Sequence, residues 1–277
     1  MKTLSLIPFT AALLAQAAFA APAATQEART LTLAVSEGTT GGIDAATAIK
    51  KYAPLAARLH KRLGVEVTVV FVREFAALEQ GMTEKRFDFV VARPSDYPAR
   101  GLRDDGYQFV ASAQPEGRCM LAVPTDSPLR SVADLRGKTF VMPEKVAYMT
   151  RFCRAELRDQ GIDLAKEHVF YVREQGAIPF ALENKIADVG GMASYSGAIR
   201  QWRDKGHRIL HESISQPSMP VVAAPHLSLD EVRKASEVLV GLGADAAGRE
   251  FLGTLAVSGF AASEEARLRA LLAWLGA

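Results

Sequence analysis

The chain has 277 residues, 33 of them basic and 31 acidic, for a formal charge of +2. That near balance, without a block of five like charges, excludes the electrostatic footprint that nucleic acid or an anionic membrane surface would require. Hydrophobic residues make up 49%, enough for a sizeable core.

The first twenty residues stand apart. Lys2 precedes an apolar run from Leu4 to Ala18, broken by Pro8 and Gln16, and Ala18-Phe19-Ala20 forms a small-x-small cleavage site. A bilayer needs about 20 uninterrupted apolar residues, so the run predicts a secretory signal peptide over 1–20, cleaved after Ala20. No cysteine lies near the site to carry a lipid. The expected location is the periplasm, with a disordered leader at 21–29.

Strands and helices then alternate. Thr30 to Ser36 reads as a strand, and Ala46 to Leu63 as a helix whose Ile49, Tyr52, Ala53, Ala56 and Leu59 line one face. A β-branched strand is expected from Glu66 to Val72, a helix from Glu74 to Glu84 and a short strand from Phe87 to Ala92. This β-α-β-α-β order implies a mostly parallel sheet.

Tyr107 to Ser112 and Met120 to Pro124 read as strands around a polar break, Gln114-Pro115-Glu116-Gly117. The second half continues with a short helix at Ser131 to Leu135 and strands at Thr139 to Met142, Val169 to Val172, Val189 to Met192 and Ile209 to Glu212. Between them lie helices at Val146 to Gln160, Gly176 to Asn184 and Ser196 to Asp204. Ser215 to Pro220 is rich in breakers. Helices follow at Ser228 to Gly241, Ala244 to Leu255 and Ser263 to Trp274, and no internal repeat stands out.

This pattern predicts two α/β lobes, the second inserted into the first. Lobe 1 is 30–113 plus 216–277, lobe 2 is 118–212, and hinges lie near 112–117 and 211–217. A ligand is expected between them, at the carboxyl ends of the strands. The only cysteines, Cys119 and Cys153, form either one disulfide or two buried thiols.

Several segments, in order along nearly the whole mature chain, resemble the phosphate/phosphite/phosphonate substrate-binding proteins of ABC transporters. They are the run from Lys51 to Leu59 with Leu63-Gly64, the stretch Arg86 to Tyr97, Leu135 to Phe140, Ile186-Ala187-Asp188-Val189-Gly190 after Ala181-Leu182, and Pro220 to Ala223 with Leu229 and Glu231. The resemblance implies a type II periplasmic-binding-protein fold. It also implies a small, anionic ligand, phosphonate-like, another oxyanion or an organic acid, delivered by a monomer to a membrane permease. In the family a Ser/Thr-rich turn follows the second-lobe strand. Here Pro143 to Tyr148 has no Ser, Thr or Gly, a departure that bears on the ligand's identity.

Candidate ligand residues follow from these placements. Arg93, after the strand ending at Ala92, suits bidentate contact with a carboxylate or phosphate, or else a salt bridge. Ser95 and Tyr97 are carried over from the family's turn. Thr39 and Thr40 lie in a Gly-containing loop after the first strand, and Phe75 stands where the family often has an aromatic. In the second lobe Tyr148, Arg173, Gln175 and Tyr195 fall at strand ends or helix starts, and Asp188 either contacts ligand or caps a turn. Glu144 beside the cleft would suit a ligand with a cationic part.

The five histidines are scattered, with His207 and His211 flanking a strand, so no metal or other cofactor is expected. No nucleophile with a general base can be assigned, and the expected class is a binding protein and not an enzyme. Two alternatives stay open: a sensing subunit that engages a receptor kinase, or an enzyme on the same scaffold using Glu144, Glu174 or Asp188.

Overall fold

The computed structural model describes residues 29–40 and 42–276. The signal peptide expected at 1–20, its cleavage site and, Arg29 aside, the leader at 21–29 lie outside the described residues.

The chain opens with β1 (Thr30–Ser36), α1 (Ala45–Leu63), β2 (Glu66–Phe71), α2 (Phe75–Thr83) and β3 (Phe89–Ala92). Asp44 starts α1 by accepting a hydrogen bond from the Thr47 amide, and Gly64 ends it in the left-handed conformation. The buried face of α1 is Ala48, Tyr52, Leu55, Ala56 and Leu59, spaced to form one stripe. Ile49, expected on that face, is largely exposed; it lies one residue, about 100° of helix, beyond Ala48.

Next come α3 (Asp96–Asp104) and the ten-residue β4 (Gln108–Gly117). The chain then builds β5 (Cys119–Val123), β6 (Thr139–Pro143), α4 (Tyr148–Asp159), β7 (His168–Val172), α5 (Ile178–Glu183), β8 (Val189–Ala193), α6 (Gly197–Asp204) and β9 (Arg208–Glu212). It returns through β10 (Gln216–Ala223), α7 (Leu229–Val240), α8 (Ala246–Leu255), β11 (Gly259–Ala261) and α9 (Glu265–Leu275).

Two sheets result. The first has the order β11-β4-β10-β3-β1-β2 and the second β7-β6-β8-β5-β9. β1, β2 and β3 run parallel, as do β6, β7 and β8; β10 and β5 join these groups antiparallel. Each sheet with its helices forms one lobe. The chain passes between sheets twice, through Arg118 alone on the way out and through 213–215 on return. The two passages are tied together: Arg118 donates to the Ser213 carbonyl, and the Cys119 amide donates to the Ser213 hydroxyl.

Two readings need correction, and one segment without an expected element gains a helix. The Gln114 to Gly117 break is the continuation of β4, which pairs with β11 at Gln114 and with β10 at Gly117. The breaker-rich 215–220 segment belongs mostly to β10, which lies between β3 and β4; register shifts absorb its irregular residues. Residues 96–104 form α3 despite Pro98 and Gly101. Pro98 sits in the first turn, where its missing N–H costs nothing. Gly101 lies where a Cβ would come 2.5 Å from the Met82 side chain.

One core lies between the first sheet and helices α1, α7 and α8, with Tyr52 edge-on to Phe251. A second packs α5 and α6 against the second sheet around Trp202. The third runs continuously through both lobes and includes Tyr97, Tyr148, Phe152 and Leu268. Cys119 on β5 and Cys153 on α4 are disulfide-bonded inside it, with Cα atoms 5.3 Å apart, which resolves the choice between a disulfide and free thiols. Among the described residues no helix is long and apolar enough to cross a membrane.

Candidate functional site

Register brings the key charges together. Ser36 pairs with Ala92 across β1 and β3, so the next residue of each strand, Glu37 and Arg93, emerges beside the other at the carboxyl end of the sheet. Gly38 then turns the chain with φ of 58°, and a Cβ there would sit 3.0 Å from Pro94 Cγ. Both the left-handed backbone and the tight contact call for glycine.

Glu37 and Arg93 are 4% and 5% exposed. Arg93 Nε donates to Glu37 Oε2 at 2.7 Å, while Lys51 Nζ and the Tyr52 hydroxyl each donate to Oε1 at 2.7 Å. Burial pushes the Glu37 carboxyl up, but the charges of Arg93 and Lys51, with the hydrogen bonds from Lys51 and Tyr52, overcome it and hold the carboxyl down at about 2. Glu37 is therefore ionised throughout the neutral range. Burial, joined by the Glu37 charge, pushes the Tyr52 phenol up.

The Arg93 fork is partly committed to the protein. Nη2 donates to the Leu255 carbonyl at 2.6 Å, and the guanidinium carbon lies 5.1 Å from the centre of the Tyr195 ring. Buried Nη1 has no hydrogen-bond partner. The salt bridge that the sequence offered as the other reading of Arg93 is thus formed, while both N–H groups of Nη1 and the second of Nη2 are left over.

Glu37, Thr39, Thr40, Phe75 and Arg93 from the first lobe and Tyr148, Met149, Gln175 and Tyr195 from the second line one cavity. At about 10 Å³ it has room for roughly one water. Tyr148, 4% exposed, begins α4, and its hydroxyl has no partner in good hydrogen-bond geometry among the described residues; burial pushes that phenol well up, against a smaller lowering from the nearby Ser95 side chain. Burial likewise pushes Tyr195 up to about 12. Both phenols are proton donors at neutral pH.

Gln175 spans the lobes. Its side-chain carbonyl accepts from the Ala193 amide, and its side-chain nitrogen donates to the Thr39 hydroxyl at 3.1 Å. Its own amide donates to the Thr39 carbonyl at 3.0 Å. Thr40 donates its hydroxyl to the Glu37 carbonyl, which leaves Thr39 as the threonine with a proton to offer. Deeper in, Asp96 accepts from Arg151 of the other lobe at 2.8 Å. Burial outweighs the Arg151 and Arg100 charges and raises the Asp96 carboxyl.

At the rim, Val72-Arg73-Glu74 after β2 meets Val172-Arg173-Glu174 at the end of β7. Arg73 pairs with Glu174 and Arg173 with Glu74, each at 3.2 Å. The same tripeptide ends the corresponding strand in each lobe, so the two rims clasp reciprocally.

Four expected residues lie elsewhere. Ser95 is buried and donates to the Pro217 carbonyl, tying α3 to β10. Tyr97 is stacked behind Phe75 at 5.8 Å, supporting the wall from outside the cavity. Arg173 belongs to the rim. Asp188 is at the opposite, amino-terminal end of β8, where its carboxylate accepts from the Thr139 amide at 2.8 Å; it joins the starts of β6 and β8. Glu37 was not among the residues expected from the sequence, although an acidic residue directly after a buried parallel strand, two strands before the one that leads into Arg93, was the available signal. No group of three or more His, Cys, Asp or Glu side chains placed for a metal occurs among the described residues.

Comparison with known proteins adds independent findings. A family model described as ABC transporter, phosphonate, periplasmic substrate-binding protein matches residues 42–268. Among solved structures, XAC2383 from Xanthomonas citri bound to ATP is 16% identical with a TM-score of 0.71, covering 89% of this chain and 97% of its own. PhnD1 from Prochlorococcus marinus in complex with methylphosphonate is 14% identical with a TM-score of 0.70, covering 88% and 96%. A binding protein component of an ABC phosphonate transporter from Pseudomonas aeruginosa is 16% identical with a TM-score of 0.66, covering 86% and 83%. No curated protein matches the chain.

Proposed function

This chain belongs to the phosphonate family of periplasmic substrate-binding proteins of ABC transporters, and from that membership we propose that its inter-lobe cavity, widened beyond its present one-water volume by a parting of the lobes, takes a compact oxyanion head held by Arg93 and Tyr148. As a family member with the type II periplasmic-binding-protein fold, it is the periplasmic solute-binding component that presents a small molecule to a membrane permease. Its task is binding and delivery, not catalysis.

The observation that carries the ligand reading is a pair of buried donors from the two lobes, Arg93 Nη1 and the Tyr148 hydroxyl, which meet no partner in good hydrogen-bond geometry among the described residues, the Tyr148 hydroxyl having only a loose contact with the Ser95 side chain. They belong to different lobes and line the same cavity. A buried donor left unpaired costs about 1 to 3 kcal/mol, and an oxyanion satisfies both at once only when the lobes are together. Thr39 offers a third donor, while Phe75 and Tyr195 form walls. Gln175 positions Thr39 and closes the lobes over the ligand.

The lobes swing about Arg118 and 213–215. The protein acts as a monomer after its signal peptide is removed behind Ala20. A thermal-shift screen of phosphate, sulfate, methylphosphonate, methanesulfonate and small carboxylates tests the reading. A binding anion at a hundred times its Kd stabilises by about 2.7 kcal/mol; a screen in which no anion raises the midpoint contradicts the proposal.

A further inference from the structure

We infer that Glu37 is the specificity-determining residue of the cavity, restricting it to oxyanions with a single negative charge, of which a sulfonate is the type, and disfavouring dianionic phosphonate. The inference rests on the cavity being the ligand site.

The argument begins with charge. Glu37, Arg93 and Lys51 form one cluster, joined by contacts of 2.7 Å; one negative and two positive charges leave a single positive charge. Asp96 is matched by Arg151 and Arg100, and Arg100 also serves Glu79, so this second group is neutral. The rim clasp of Arg73, Glu74, Arg173 and Glu174 is neutral as well, and Glu144 beside it adds a negative charge. One anionic charge therefore neutralises the inner cluster, and a second would lie buried beside the Glu37 carboxylate without a cation to match it. Like charges in a poorly solvated site repel strongly.

A phosphonate dianion calls for several donors around its three oxygens. Glu37 takes Arg93 Nε and Leu255 takes one N–H of Nη2, so three of the five guanidinium N–H groups remain. The turn from Pro143 to Tyr148 supplies no hydroxyl besides that of Tyr148. A net single positive charge matches a weakly basic monoanion, whose negative charge is already spread over three oxygens.

Methanesulfonate and methylphosphonate have the same tetrahedral shape and differ in charge, so calorimetry with this pair is the test. It is done at about pH 9, above the second ionisation of a phosphonyl group. For the wild-type protein, methanesulfonate is expected to bind at least tenfold more tightly than methylphosphonate. In Glu37→Gln, which keeps the shape and removes the charge, that preference is expected to vanish or reverse. The wild-type comparison stands even if the variant does not fold. Wild-type protein that binds methylphosphonate as tightly as methanesulfonate overturns the inference and leaves the cavity's role intact. Wild-type protein that binds neither overturns both.

Discussion

Arg93 Nε donates to Glu37 Oε2 at 2.7 Å with both side chains buried, and this pair governs how the site responds to acid. The Glu37 carboxyl is held at about 2, below its ordinary 4.5. A depressed carboxyl contributes stability that is present above its unfolded value and lost as the pH falls through the folded one, here from about 4.5 towards 2, and the difference is worth about 3 kcal/mol. Asp96, raised by burial despite Arg151 and Arg100, has the opposite sign: its cost at neutral pH is relieved on acidification. Glu37→Gln strands a buried guanidinium and is expected to lose about 3 kcal/mol at neutral pH. Its acid limb should also be flatter. Urea midpoints for both proteins between about pH 7 and pH 3 check this. A variant with an unchanged acid limb would contradict it.

The reciprocal clasp of Arg73 with Glu174 and Arg173 with Glu74 joins the rims. Its side chains are partly exposed, so each pair is worth about 0 to 1 kcal/mol and weakens with salt. Replacing both acids, Glu74→Arg with Glu174→Arg, sets four arginines against one another. The expected outcome is a larger radius of gyration in small-angle scattering and roughly tenfold weaker ligand binding, both partly restored by salt. Unchanged scattering would show that the clasp does not hold the lobes.

The disulfide between Cys119 and Cys153 fastens α4 to β5 within the second lobe. It closes a loop of 34 residues in sequence separation. Removing it by Cys119→Ala with Cys153→Ala is expected to cost about 3 to 4 kcal/mol, mainly by freeing the unfolded chain. Denaturant midpoints of the variant and the oxidised wild type measure the difference, and equal midpoints would contradict it.

The alternation of β-branched runs and amphipathic stretches made the two α/β units legible, because parallel strands buried on both faces read as apolar runs. Tertiary pairing hid the rest. β10 is held by β3 and β4 although Gln216, Pro217, Ser218 and Pro220 argue against a strand. β11 is too short to show a period. At the site, strand ends pointed to Thr39, Arg93, Tyr148 and Gln175, but no local pattern reveals that Glu37 engages Arg93 or that Asp188 faces the far end. Those facts depend on register across strands distant in sequence. The recurring Val-Arg-Glu of 72–74 and 172–174 was readable, but its meaning required knowing that the two segments meet.

The most direct measurement compares ligand binding and stability of wild type and Tyr148→Phe, by calorimetry with methanesulfonate and by thermal unfolding without it. The substitution removes only the buried hydroxyl, whose one contact among the described residues is a loose one with Ser95, and keeps the ring that packs against Phe152. A hydrogen bond to a charged group is worth about 1.5 to 3 kcal/mol, so affinity is expected to fall tenfold or more. The ligand-free midpoint should change little, because the hydroxyl taken out of the core makes no well-formed hydrogen bond there. Unchanged affinity, or a ligand-free protein clearly destabilised by the loss, would contradict the claim that this hydroxyl is held for a ligand.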